Sequence, residues 1–195
     1  MDEVRFEQTA RIDAEGKACG TTRYMSDLSF PGMLYAAFVR SRYPHALIRR
    51  VDTSMALQLD GVEAVLTAAD VPGFNGFGIA DPDQPVICGD KVRYMGDTVA
   101  LVAATSERIA EEAAALVDVD YEVLPIVDDP VEALKPDAPK VHEKGNVCLH
   151  TLITKGDVEQ GLREADLVIE HEYRTPRQAH VPLETESGVA VPEAD

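Results

Sequence analysis

Tryptophan is absent from the 195 residues, and cysteine occurs only three times, at Cys19, Cys88 and Cys148. No two of these have the C-x-x-C spacing of a zinc, iron–sulfur or redox site, and an iron–sulfur cluster takes about four cysteine ligands. We therefore expect reduced thiols in a cytoplasmic protein, with no iron–sulfur cluster held by this chain alone.

Long apolar runs are also missing, because no stretch approaches the roughly 20 residues of a membrane-spanning helix. Basic residues are scarce: 18 Lys and Arg stand against 35 Asp and Glu, which gives a net charge of −17. Such a charge repels phosphate backbones and anionic membranes, so we expect neither nucleic acid nor a membrane among the partners. The sequence contains no P-loop and no nucleophile elbow.

What is present is a series of short apolar segments separated by turn residues. Residues 34–40 predict a strand buried on both faces, and residues 98–104 (TVALVAA) predict the most apolar strand. Thr105 and Ser106 then predict the start of a helix, because their side chains can cap it. Further strands are predicted at 47–52, 62–67, 117–123 and 165–173. Strands come first and helices are few and short, which indicates an α+β fold with a mixed sheet.

Residues 73–90 are the least regular stretch, with four glycines, two prolines and three acidic residues. A loop of this length is more often functional or interfacial than accidental. The alternative is a mobile surface loop.

The residues supply no catalytic centre. His180 and Glu184 have a spacing that puts both side chains on one face of a helix or strand, where they could serve a metal. Pro182 lies between them and disfavours a helix, so a polar cluster is the preferred interpretation. We assign no catalytic residue and no metal ligand.

Taken in order, several motifs carry a resemblance. They are YAAFVRSRYPHALI (35–48), GVEAVLTAADVPG (61–73), DKVRYMGDTVA (90–100), VDVDYEVLP (117–125) and GDVE with HVPLE (156–184). This series resembles the start of the large molybdenum subunit of the xanthine dehydrogenase/aldehyde oxidase family. The resemblance implies an N-terminal arm at 1–15 and an α/β-hammerhead domain at 16–125. It further implies a connector at 126–163 and the first strands of a molybdopterin-binding domain at 164–195.

The resemblance also implies an activity. Family members hydroxylate purines, other N-heterocycles or aldehydes with oxygen from water. The complete subunit is expected to hold molybdopterin cytosine dinucleotide, and partner subunits to hold iron–sulfur clusters and FAD. The family's glycine-rich cofactor loop and catalytic Glu lie further along its chain, so these 195 residues are expected to be non-catalytic alone. A stand-alone interaction or small-molecule-binding module without a redox role is the alternative.

The resemblance implies contact surfaces rather than catalytic residues. In the family, the hammerhead packs against the cofactor domains and flanks the substrate funnel and the iron–sulfur partner. The candidates for that contact are the 73–90 loop and the residues Tyr94, Gly96, Asp97, Gln178, His180 and Glu184. As a fragment, the chain is expected to self-associate, because one face of 98–104 would lack cover.

Overall fold

The computed structural model describes residues 11–79, 81–183 and 185–193. Its internal contacts divide the chain into two units: Gly32–Lys155, and a second unit made of Met1–Pro31 and Gly156–Asp195. Within the described residues, the helices are all too short or too polar to cross a lipid bilayer.

The elements follow in chain order. The helices are α1 (Ala14–Ala18), α2 (Ser54–Leu57), α3 (Glu107–Leu116) and α4 (Val158–Glu164). The strands are β1 (Tyr35–Arg40), β2 (Ala46–Asp52), β3 (Val62–Leu66), β4 (Lys91–Val92), β5 (Thr98–Ala104) and β6 (Asp118–Val123). The predicted α+β class with few, short helices is confirmed.

The strands form two three-stranded sheets, in the orders β1–β5–β3 and β4–β2–β6. Each pair that the structure describes is antiparallel, which corrects the expected mixed pairing. A parallel pair needs a crossover of about a dozen residues, usually a helix. The ten-residue α3 does not serve as one, because it joins β5 to β6 and these strands lie in different sheets.

The core of Gly32–Lys155 lies between the first sheet and α3. β5 is the central strand, and Ala100 and Val102 on it are fully buried against Ala113 of α3. The helix begins where the sequence predicts, because the Ser106 hydroxyl accepts a hydrogen bond from the Ile109 backbone N–H at 3.3 Å. This cap satisfies one of the free N–H groups of the first turn. One face of the sheet is thereby covered.

β1 differs from its prediction. The sequence predicted a strand buried on both faces, but β1 is an edge strand and Phe38 on it is 53% exposed. An apolar run indicates that a strand prefers burial. It does not indicate which element covers each of its faces, or whether one does.

The second sheet is covered on one face and charged on the other. Ala46 and Val92 pack with Cys88 and Val99 in a second buried cluster. On the outside, Arg49 pairs with Glu122, and Arg50 lies 2.7 Å from Asp118. Exposed ion pairs of this kind suit a surface that faces water.

The described part of the second unit contains little regular structure. α4 is capped by Asp157, whose carboxylate accepts a hydrogen bond from the Gln160 backbone N–H at 2.9 Å. The strand predicted at 165–173 is not formed, and residues 165–183 and 185–193 show no strand ladder. Ile169 and Tyr173 are 80% and 85% exposed. A β-strand forms only where a neighbouring strand pairs with its backbone N–H and C=O groups. The alternating pattern at 165–173 indicates which side chains share a face, but it does not indicate a pairing strand.

Candidate functional site

The 73–90 loop is organised around one asparagine. The Asn75 side-chain oxygen accepts hydrogen bonds from the backbone N–H groups of Val86 (2.9 Å) and Ile87 (3.3 Å). Its amide donates to the Ile87 carbonyl at 2.7 Å. Phe77 and Gln84 also exchange two backbone hydrogen bonds, at 2.8 and 3.2 Å. These bonds join residues 75–77 to residues 84–87, so the loop is closed by hydrogen bonds across its base.

Two glycines permit this closure. A Cβ on Gly76 would lie 2.5 Å from the Pro82 carbonyl oxygen, and one on Gly78 would lie 2.0 Å from the Asp81 carbonyl oxygen. Real Cβ atoms do not approach backbone oxygens so closely, so both positions require glycine for the backbones to meet.

The loop directs apolar side chains outward. Phe74 is 72% exposed, Phe77 51% and Val86 49%. Tyr94 joins this surface from the following turn, because the Gln84 amide donates to its hydroxyl at 3.1 Å. The closed loop thus presents exposed aromatic side chains, which are large and rigid.

The turn at 94–97 is fixed to the residue that follows β1. The Asp97 carboxylate accepts a hydrogen bond from the Arg93 backbone N–H at 2.7 Å, and Asp97 is only 3% exposed. The Gly96 N–H donates to the Ser41 carbonyl at 2.8 Å. Gly96 has φ +96°, a conformation that favours glycine. Among these candidates, Tyr94 alone presents a large part of its side chain to solvent, and Asp97 shapes the turn from inside.

Two groups at this turn, one buried and one half-exposed, have raised pKa values. Burial raises the pKa of the Cys88 thiol to about 12, and the nearby Asp97 carboxylate adds to that effect. Burial also raises the pKa of the Tyr94 hydroxyl. Both groups therefore favour their protonated forms near neutral pH, and the Cys88 thiol is correspondingly less nucleophilic than an exposed thiol.

The connector is attached to the same loop within Gly32–Lys155. The Lys91 ammonium donates to the carbonyl oxygens of Lys140 (3.1 Å) and Val141 (2.8 Å). Burial, followed by the nearby Arg93, lowers the pKa of Lys91. His142 lies 3.4 Å from the Asp83 carboxylate. Residues 140–142 thus lie beside β4 and the 73–90 loop.

The remaining candidates lie in the second unit. Gln178 and His180 are exposed in a stretch without regular secondary structure, and Glu184 lies outside the described residues. Across the part of the chain that the structure describes, no three His, Cys, Asp or Glu side chains come together as a metal site.

Two family profiles match the chain. Residues 19–125 match the a/b hammerhead domain of aldehyde oxidase and xanthine dehydrogenase, which is more than half of the chain. The chain belongs to this family. Residues 141–195 match the molybdopterin cofactor-binding domain of such proteins.

Full-length relatives of this family are much longer than these 195 residues. A probable xanthine dehydrogenase subunit of Bacillus subtilis is 52% identical over 185 residues, which cover 95% of this chain and 25% of that protein. The nicotinate dehydrogenase large molybdopterin subunit of Eubacterium barkeri is 38% identical over 96% of this chain and 44% of its own length. The chain thus spans a quarter to less than half of these relatives.

Solved structures agree with the family assignment. The aldehyde oxidoreductase of Desulfovibrio gigas matches with a TM-score of 0.64 at 37% identity, over 68% of this chain and 16% of that chain. The CO dehydrogenase of Oligotropha carboxidovorans matches with a TM-score of 0.64 at 41% identity, over 67% and 17%. The predicted hammerhead is confirmed by these likenesses.

Sequence reasoning selected the 73–90 loop but missed the residues that hold it. Asn75 lies between glycines in GFNG, and asparagine beside glycine is a turn signal, so this residue could have been found. Lys91 carries no such signal, because its role depends on the connector folding back to it.

Proposed function

We propose that these residues are the first part of the molybdenum-binding subunit of a hydroxylase that acts on purines, other N-heterocycles or aldehydes. The observation that carries the proposal is the match of 95% of the chain to a probable xanthine dehydrogenase subunit, with the hammerhead and cofactor-domain profiles in that order. The relatives' names include a nicotinate dehydrogenase and an aldehyde oxidoreductase, which supports this substrate range.

In this proposal the complete subunit holds the molybdenum as molybdopterin cytosine dinucleotide. Iron–sulfur clusters and FAD reside in partner subunits, and the assembly works in the cytoplasm. The cofactor supplies the oxidation chemistry, and this chain supplies none of the catalytic residues.

In this proposal, these residues contribute to subunit assembly and help to shape the substrate funnel. The closed 73–90 loop, its exposed Phe74 and Phe77, and Tyr94 form the surface that meets a neighbouring domain or subunit. The loop's backbone and side-chain hydrogen bonds reduce the entropy lost when that contact forms.

The test uses the complete protein purified from its native source with its associated subunits. We expect an intact mass several times 21.2 kDa, molybdenum bound, and oxidation of xanthine, nicotinate or an aldehyde. A native mass of 21.2 kDa without molybdenum would contradict the proposal and favour a stand-alone interaction or binding module.

A variant tests the contact surface. Tyr94→Ala is expected to weaken co-purification of the iron–sulfur subunit, because a 46% exposed aromatic side chain is removed from the surface. Met55→Ala, at a 57% exposed position on α2, is the matched control. Equal recovery of the partner subunit with both variants would remove Tyr94 from the interface.

A further inference from the structure

Two buried side-chain nitrogens in the unit Gly32–Lys155 have no hydrogen-bond partner among the described residues: Nε2 of His45 and Nε of Arg93. His45 is only 4% exposed. Most buried polar atoms in folded proteins bond to another protein atom or to ordered water, because an unpaired atom loses its hydration without compensation. Both nitrogens are therefore expected to have a bonding partner in the folded protein.

The two side chains are neighbours across β2 and β4. The register of this antiparallel pair matches Ala46 with Val92 where the ladder ends. Continued by one residue, the same register places His45 opposite Arg93. Directly opposed residues lie on the same face of a sheet, with their Cβ atoms roughly 4.5–5.5 Å apart. The imidazole ring and the guanidinium group thus extend from neighbouring points on one face.

The polypeptide around the connector covers part of this face. Lys91 lies two residues before Arg93, and therefore on the same face. Its ammonium donates to the backbone carbonyl oxygens of residues 140 and 141, at 3.1 and 2.8 Å. The Pro125 carbonyl oxygen, immediately before the connector, lies 2.6 Å from the His45 Nδ1. This polypeptide is thus attached to the sheet at His45 and at Lys91, beside both nitrogens.

The two nitrogens differ in their hydrogen-bonding chemistry. A carbonyl oxygen only accepts, so the His45 Nδ1 carries the proton shared with Pro125, and Nε2 of the neutral ring is an acceptor. The Arg93 Nε carries a hydrogen and only donates. Its guanidinium is fixed by Nη1, which donates to the Lys91 carbonyl at 3.2 Å. A ligand that satisfies both nitrogens must therefore accept one hydrogen bond and donate another.

We propose that His45 and Arg93 bind one buried water molecule, which accepts a hydrogen bond from the Arg93 Nε–H and donates one to the His45 Nε2. Water meets both requirements, and buried waters typically make two to four hydrogen bonds to otherwise unsatisfied groups. A halide ion would accept from Arg93 but has no hydrogen to donate to Nε2. The water joins β4 to β2 and, through the His45 ring, to the residue before the connector. The inference does not depend on the cofactor or on the substrate.

A crystal structure of the complete native protein, at a resolution of about 2 Å or better, tests the site. A second crystal is soaked in bromide. We expect a single density peak about 2.7–3.2 Å from both nitrogens, and no anomalous bromide signal there. The proposal is overturned by an empty site, by a direct bond between the two nitrogens, or by a bond from either nitrogen to another protein atom. A bromide peak also overturns it, because the ligand is then an anion.

Hydrogen exchange of the same protein tests whether the water holds the connector. Asparagine carries a nitrogen at the position of Nδ1 and none at the position of Nε2, so His45→Asn keeps the donor to Pro125 and removes the acceptor. Arg93→Met removes the donor. We expect each substitution to lower the protection of the backbone amides at 140–146 at least about fivefold. The double variant should lose no more than the larger single effect, because either substitution already removes the water.

Arg108→Met, at an exposed position on α3, is the matched control and should leave the protection at 140–146 unchanged. Single variants without effect overturn the proposal, as does an equal loss in the control. A double variant in which the two losses multiply also overturns it, because His45 and Arg93 then act independently. Should a variant fail to fold, the density peak and the bromide signal of the parent protein still decide the proposal.

Discussion

The His45 imidazole Nδ1 lies 2.6 Å from the carbonyl oxygen of Pro125, a residue 80 positions later in the chain. The Leu124 backbone N–H also donates to the His45 carbonyl at 2.9 Å. Two hydrogen bonds therefore fix the end of β6 beside the start of β2. His45 is 4% exposed, so this attachment lies inside the unit, at the point where the hammerhead passes into the connector.

Replacement of His45 by alanine is expected to lower the free energy of unfolding by about 1–3 kcal/mol, because the Pro125 carbonyl loses its donor and a buried side chain is removed. Urea unfolding followed by circular dichroism measures the change. His150→Ala, at an exposed position, serves as the control. Equal midpoints for the two variants would show that the attachment contributes nothing.

Asn75→Ala is expected to expose the 73–90 loop to chymotrypsin, with cleavage after Phe74 or Phe77. The variant loses three hydrogen bonds that join the arms of the loop. Gln84→Ala loses one exposed side-chain hydrogen bond and is the comparison. Mass spectrometry of the fragments gives the cleavage rates. If both variants are cleaved as slowly as the parent chain, Asn75 does not hold the loop.

Gly78→Ala is expected to lower the melting temperature, because the new Cβ would overlap the Asp81 carbonyl oxygen at 2.0 Å. Gly161→Ala is the matched control, since a Cβ there meets nothing within 4 Å. It lies in α4, where alanine is favoured over glycine by about 0.5–1 kcal/mol. Scanning calorimetry on both chains measures the two shifts, and a Gly78→Ala chain that melts no lower than the control would contradict the predicted overlap.

The Cys88 thiol makes the stability of the fold depend on pH in the alkaline range. Its pKa in the folded chain is raised from 9.0 to about 12, chiefly by burial. The unfolded chain therefore releases this proton first, so the free energy of unfolding falls as the pH rises from about 9 towards 12. The raised pKa values of Tyr94 and Tyr121 act in the same direction.

Urea midpoints at about pH 8 and about pH 10 measure this fall, since they lie on either side of the ordinary thiol pKa. Cys88→Ala is expected to reduce the slope with pH without abolishing it, because the tyrosines remain. An unchanged slope would show that the thiol is not responsible. A thiol reagent at the lower pH should also modify Cys19 and Cys148 in the folded chain, and Cys88 only after unfolding.

The sequence predicted those elements that are determined by residues close together in the chain. The apolar run at 98–104 and the capping Ser106 predicted β5 and the start of α3, because burial and capping act within a few residues. The exposure of Phe38 was not predictable, because it depends on which layer covers the sheet. Lys91 was missed because its partners lie 49 and 50 residues away, whereas Asn75 beside Gly76 carried a local turn signal that could have been used.

The strand orders have a consequence for synthesis on the ribosome. β1 and β3 both pair with β5, and β2 pairs with β4 and β6. No pairing of the first sheet can form until residues 98–104 have left the exit tunnel, and the second sheet is complete only after β6 at 118–123. β1 and β3 therefore wait unpaired while the chain up to β5 is translated, a process of a few seconds at roughly 5–20 residues per second. The nascent chain thus passes through an interval in which two apolar strands are exposed without their pairing partner.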